Sequence, residues 1–253
     1  MDIESIDKGK EFDFGKTSYA YAKYRNIYPR ELYEKLRAFG VAADGTSWLD
    51  LGTGTGILPE NLYNPNAEIY GADISEQQIA FAKQNAEINN HNIKYVVSPA
   101  EKTGFPDSSF DSITAAQCFF YFDKEKMRSE IKRMIKPGGK FIKIFMTWDN
   151  NDPLASESQQ LVCEMNKNWE SAKTALTDIN DDLFPGRVTE KFYADIPFTR
   201  ESWHGRMCAC RGTLASMDDF TFAKWEKAHT EMLERFPQEF TVRHIVFISY
   251  FIL

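Results

Sequence analysis

The chain has 253 residues, 43% hydrophobic and 26% charged, a size and balance that fit one α/β domain with an elaboration or small cap. Net charge is −7, from 30 Lys and Arg against 37 Asp and Glu, with no run of five basic residues. This excludes a phosphate-tracking surface and favours a small-molecule partner over nucleic acid.

The four cysteines, Cys118, Cys163, Cys208 and Cys210, form no C-x-x-C pair. The segment Met1 to Ser5 lacks a basic region followed by an apolar stretch, so a reduced, cytoplasmic chain is expected. Cys208 and Cys210 with His204 four residues earlier resemble a metal cluster, but alternation on a strand accounts for them and no metal is expected. The longest apolar run, Ile245 to Leu253, is too short to span a bilayer and reads as a buried strand.

Residues 1–28 interleave Phe12, Phe14, Tyr19, Tyr21, Tyr24 and Tyr28 with Lys16, Lys23 and Arg25. They read as a lid or as an amphipathic helix packing its tyrosines on the core. Pro29 suits the first turn of a helix carrying Leu32, Leu36 and Phe39, which Gly40 caps. Thr46 to Leu51 reads as the first strand. It runs into Gly52, Gly54 and Gly56 and then a helix with Leu58 and Leu62. Glycine at every second position marks a close approach of backbone to a ligand, and the G-x-G-x-G spacing differs from the G-x-G-x-x-G of dinucleotide sites.

Ala67 to Asp73 is the second expected strand, followed by a Ser75-x-x-Gln78 capping box opening a helix with Ile79, Ala82 and Ala86 inside. Asp73 ends that strand about 20 residues past the glycines, where an acid hydrogen-bonds ribose hydroxyls; it also suits a helix cap. Ile93 to Val97 is the third strand. Phe110 to Ala116 is the fourth, ending in Gln117, Cys118 and four aromatics, Phe119 to Phe122. On a continuing strand those rings alternate faces, so at least two point to the mouth of the site and are available to a cation or an apolar substrate. Asp123 caps a helix with Met127, Ile131 and Ile135 on one face, and Lys136-Pro137-Gly138-Gly139 turns into strand five, Lys140 to Thr147.

Asp50, Gly52, Gly54 and Gly56, then Asp73, Glu101 and the Pro-Gly-Gly turn, stand in the order that resembles class I S-adenosylmethionine-dependent methyltransferases, over residues about 46 to 147. The resemblance is closest to their small-molecule branch, which includes trans-aconitate-type and quinone-biosynthesis-type enzymes. It implies a doubly wound, Rossmann-like α/β sheet, mostly parallel with an antiparallel last strand, plus an N-terminal lid and a helical insertion. It implies one domain: lid 1–28, cofactor core 46–147, and substrate-side structure 148–253. It implies S-adenosylmethionine as cofactor, held by Tyr24, Arg25, Asp50, Gly52, Thr53, Gly54, Gly56, Asp73, Ile74, Gln78, Ala100, Glu101, Gln117, Cys118 and Phe119. Within that set, Glu101 stands where a carboxylate accepts from the adenine amino group.

Beyond Trp148, Leu154 to Leu176 reads as helical, Phe192 to Phe198 as a strand, Met217 to Phe236 as a helix and Thr241 to Leu253 as the final strand. Trp203-His204-Gly205-Arg206, between the last strand pair and that helix, combines an aromatic wall, a base and a carboxylate clamp. With Tyr19, Tyr121 and Trp148 these are the expected substrate contacts, and His204 and Tyr121 the catalytic candidates. Methyl transfer is an in-line displacement that depends mainly on alignment, and a base is needed only for some acceptors. The acceptor atom and the choice of monomer or homodimer stay open. Two other readings compete: an S-adenosylmethionine-binding module without catalysis, and an NAD-linked oxidoreductase, disfavoured by the glycine spacing. No Asn/Asp-Pro-Pro-aromatic tetrapeptide or Pro-Cys pair follows strand four, which sets the chain apart from nucleic-acid methylating enzymes.

Overall fold

Short apolar strands alternating with helices build a seven-stranded sheet in the computed structural model, which describes Tyr24, residues 28–167, Trp169 and residues 183–253. The expected lid falls almost wholly outside the described residues, as do Tyr19 and Arg25. The elements are α1 (Arg30–Ala38), β1 (Ser47–Leu51), α2 (Ile57–Asn61), β2 (Glu68–Asp73), α3 (Glu76–Asn89), β3 (Ile93–Val97) and β4 (Phe110–Ala116). Then follow α4 (Lys124–Met134), β5 (Ile135–Trp148), α5 (Pro153–Met165), β6 (Val188–Thr199), α6 (Arg200–Cys208), α7 (Asp219–Leu233) and β7 (Glu239–Ile252).

Strand order is β3-β2-β1-β4-β5-β7-β6. β1 lies parallel between β2 and β4, and β3 and β5 extend those flanks in parallel. β7 runs the other way: at its end Leu253 exchanges backbone hydrogen bonds with Gly138 and Gly139 at the start of β5. The order reverses between β1 and β4, and such a switch point opens a crevice at the carboxyl ends of the strands.

Chain contacts divide into two compact units. One comprises residues 28–146, 177–192 and 246–253; the other, residues 1–27, 147–176 and 193–245. The first has Leu49, Leu51, Ile113, Phe141 and Phe251 of the sheet at its centre, covered by Met127, Ile131 and Met134 of α4. Each such side chain, fully buried, contributes about 1.5–3 kcal/mol relative to exposure. The second is centred on Trp203 and Trp225, both 0% exposed, with Val162, Phe198 and Val242. No helix among the described residues is long and apolar enough to cross a membrane.

Several elements depart from expectation. Pro29 is the N-cap of α1, in extended conformation, and not its first helical residue. Pro137-Gly138-Gly139 lies within β5, which starts at Ile135, and the β4–β5 register shifts between Phe110 and Ser112 to absorb it. The run Phe119 to Phe122 does not continue β4: Gln117 takes φ +60° and Phe119–Tyr121 form a 3-10 turn, so the rings do not alternate. Two helices, not one, separate β6 from β7, and Trp203, His204, Gly205 and Arg206 sit on the first of them. Cys208 closes that helix and Cys210 follows it, so helical geometry, not strand alternation, places them.

Candidate functional site

β1 ends at Leu51 and the chain turns through Gly52, Gly54 and Gly56, at φ +61°, +58° and +80°. This left-handed path is open to glycine alone without strain. Packing adds a second requirement. A Cβ on Gly52 would stand 2.6 Å from Cys118 Sγ, and one on Gly56 would stand 2.3 Å from the Tyr95 hydroxyl. Gly71 of β2, paired in register with Tyr95, is likewise hollowed out for that ring. The glycines therefore admit the protein's own side chains on one side while exposing backbone on the other.

Two carboxylates flank this loop. Asp73 accepts the Gly54 N–H and the Ser75 N–H, each at 2.9 Å, so it ties the end of β2 to the loop and is not itself the N-cap of α3. Ser75 caps α3, accepting the Gln78 N–H. Asp50 is 3% exposed and accepts the Thr114 hydroxyl at 2.6 Å, which in turn accepts Trp48 Nε1 at 2.9 Å. Burial raises both carboxyls, Asp50 to about 7, against the lowering effect of their hydrogen bonds. A cationic group beside the loop would relieve that penalty, whereas a pyrophosphate would meet two acids and a Gly54 N–H already committed to Asp73. The following helix α2 has only five residues, too short for a strong dipole at its start.

The remaining expected cofactor residues of this unit gather at the same edge. Ile74, next to Asp73, is 60% exposed. Gln117 donates to the Met146 carbonyl, and Cys118 Sγ donates to the Leu51 carbonyl at 3.1 Å. Burial pushes the Cys118 thiol well up, so it is an inert packing group. Ala100 is buried at the start of a 3-10 turn, and Glu101 accepts the Asp123 N–H at 3.0 Å at the head of α4. Phe119 is 5% exposed and packs on Phe122 and Phe141, with Lys143 Nζ 4.9 Å from its ring centre. The cation it meets is thus the protein's own. Thr53 and Gln78 are buried by the loop, and Thr55 Oγ1, Gln78 Oε1 and the Tyr95 hydroxyl are shielded from water without a protein partner. Buried polar atoms normally have partners, so these fit a polar ligand bound against the loop.

In the other unit, Tyr24 donates to Glu201 and its ring lies where a Cβ on Gly205 would be, 2.3 Å away, which packs it on α6. Trp203 Nε1 donates to Ser158, as His229 Nε2 also contacts Ser158, and His229 Nδ1 meets His204 Nδ1 at 2.8 Å. His204 stacks on Trp225 and lies 3.9 Å from Glu226. Burial lowers both histidines, His229 to about 3, so both are neutral hydrogen-bonded members of a core network. Arg206 is 3% exposed, its guanidinium 5.5 Å from the Trp148 ring centre and 3.1 Å from Cys210 Sγ. Among the described residues no group of three metal-binding side chains assembles.

The fold, the glycine turn and the acid ending β2 now stand together. The family model for a methyltransferase domain matches residues 49–143. That match runs from β1 into β5 and covers less than half of the chain. The chain is 38% identical over 97 residues to demethylmenaquinone methyltransferase of Thermus thermophilus, an alignment covering 37% of this chain and only 44% of that protein. It is 26% identical over 220 residues to an uncharacterized methyltransferase of Schizosaccharomyces pombe, covering 85% and 83%. Its fold is similar to that of a proposed type II methyltransferase from Anaeromyxobacter dehalogenans, with a TM-score of 0.61 at 23% identity over 88% of this chain and 95% of that one.

Tyr95 and Thr114 are the site residues that motif reading missed. Tyr95 pairs with Gly71 of β2 and reaches Gly56, and Thr114 pairs with Asp50. The visible signal was a glycine inside a strand, which marks a close approach.

Proposed function

We propose that the chain transfers a methyl group from S-adenosylmethionine to a small-molecule acceptor. The observation that carries this reading is the pair of desolvated acids, Asp50 and Asp73, on either side of a backbone turn. Such a site suits a ligand with a cationic sulfonium and ammonium and an unphosphorylated ribose. Asp73 takes the ribose hydroxyls by exchanging its Gly54 or Ser75 N–H contact for them. Ile74 packs on the flat face of the adenine, and Gln78 Oε1 supplies a further acceptor. When bound, the cofactor supplies the electrophilic methyl; the chain's own residues orient it and exclude water. The same charge pattern argues against NAD as the ligand.

Of the expected substrate contacts, Tyr121 and Trp148 are partly accessible, while Trp203 and Arg206 are buried. We assign Trp203, His204 and Arg206 to support of their unit, and leave no general base to His204. We read residues 1–253 as one methyltransferase domain with an elaborated substrate side, acting on a small molecule whose accepting atom is open. The relatives support methyl transfer in general; the acceptors in their names are theirs. Incubation of the full chain with methyl-labelled S-adenosylmethionine and a panel of hydroxyl, amine, thiol and carbon acid acceptors tests the reading. Label transfer with release of S-adenosylhomocysteine is expected. Tight cofactor binding without turnover on any acceptor class would instead favour a binding module.

A further inference from the structure

Away from the cofactor edge, on the outer flank of α4, a cleft of about 660 Å³ is lined by Arg128, Lys132, Phe184, Pro185, Gly186 and Arg187. Its size is that of a small-molecule site. The floor is fixed: Phe184 is 2% exposed and packs on Phe141 of β5 and on Phe251 of β7. None of Asp50, the glycine turn or Asp73 is among the residues that line the cleft.

Among the described residues the lining carries Arg128 and Lys132 of α4, together with Arg187, which has contacts of its own, and no acid. The acids of α4 do not neutralise its two. Glu130 is engaged by Arg133 and Thr103. Glu125 is 81% exposed and reaches Arg128 only at 3.9 Å, too long for a hydrogen bond. Arg128 Nε is shielded from water and has no hydrogen-bond acceptor. Lys132 Nζ hangs 5.9 Å from the Phe184 ring centre. The Arg128 guanidinium beside the Lys132 ammonium forms a donor set that suits a phosphate.

We propose that this cleft is a second ligand site that takes a small phosphate-bearing anion, separate from the methyltransferase cofactor site. The inference does not depend on the methyl-transfer reading. Its test is calorimetric titration of inorganic pyrophosphate into the full chain at constant ionic strength, with Arg128→Gln and Lys132→Gln as single and double variants. Saturable one-to-one binding is expected, weakened roughly tenfold by each single change as a charged contact is lost, with S-adenosylhomocysteine affinity and melting temperature unchanged. Arg128→Gln keeps the stem on α4, and the single Lys132→Gln, at an exposed position, serves as the second probe if the double variant melts early. Absence of saturation by about 10 mM, equal affinity in all variants, or displacement of pyrophosphate by S-adenosylhomocysteine would overturn the proposal.

Discussion

Two desolvated carboxylates, Asp50 and Asp73, and two hydrogen-bonded histidines, His204 and His229, carry opposite functions at the residue scale. Asp73 holds the glycine turn through Gly54 and is the group proposed above to meet a ribose. Replacing it with Ala removes charged hydrogen bonds, and S-adenosylhomocysteine affinity is predicted to fall about 10- to 100-fold, or about 1–3 kcal/mol, in a titration. His229 is neutral in the fold, its pKa lowered to about 3 by burial. Its unfolded value is about 6.5, so its contribution to stability is complete above that pH and is lost as pH falls toward 3. Asp50, raised to about 7, works the other way, since a folded state that binds its proton more tightly loses stability as pH rises above the usual carboxylate range. The clean readout is therefore a difference: the unfolding free energy of wild type minus His229→Gln is predicted to shrink by about 2 kcal/mol between pH 7 and pH 5. A difference that does not vary with pH would remove His229 from the buried network.

Among the elements, the glycine turn and strand β3 are coupled through one ring. Gly56→Ala puts a Cβ into the Tyr95 hydroxyl at a left-handed φ of +80°, and is predicted to cost about 2 kcal/mol or more in chemical denaturation. In a Tyr95→Phe background the cost should be smaller, because the atom in the way is gone; equal costs in both backgrounds would show that the turn is strained without reference to Tyr95. This coupling was hidden because register between β2 and β3 is not written in either segment alone. The strands themselves were legible: β3 and β4 occupy the residues their apolar runs indicate, since short β-branched runs bounded by turn residues have few alternatives. Helix α6 was not. Its sequence, Arg200 to Cys208, contains Gly205 and lacks a clean apolar stripe, and its capping box uses Ser202 where the usual signal is Glu or Gln. The aromatic run after β4 was misread for a related reason: a left-handed Gln117 has no strong sequence signature, and after it the chain enters a 3-10 turn that buries Phe119 while Phe120, Tyr121 and Phe122 stay partly exposed.

For the whole molecule, the glycine turn and the acid ending β2 were legible because each follows from a local pattern, glycines after an apolar strand and an acid at the end of the next one. The substrate side was not, because Trp203, His204 and Arg206 are polar or amphipathic residues used for packing, and burial is set by tertiary contacts that no local pattern records. A ligand that binds only the folded chain stabilises it by mass action. S-adenosylhomocysteine at about 100 times its dissociation constant is predicted to add about 2.7 kcal/mol, raising the melting temperature by roughly 5–10 °C. An unchanged melting curve under those conditions would place the nucleoside outside this fold. The central claim, that two desolvated acids around the glycine turn select a sulfonium nucleoside over a dinucleotide, is tested most directly by titrating S-adenosylmethionine and NADH separately into the full chain. One-to-one binding of S-adenosylmethionine with no saturable NADH binding is the predicted result, and saturable NADH binding without S-adenosylmethionine binding would contradict it.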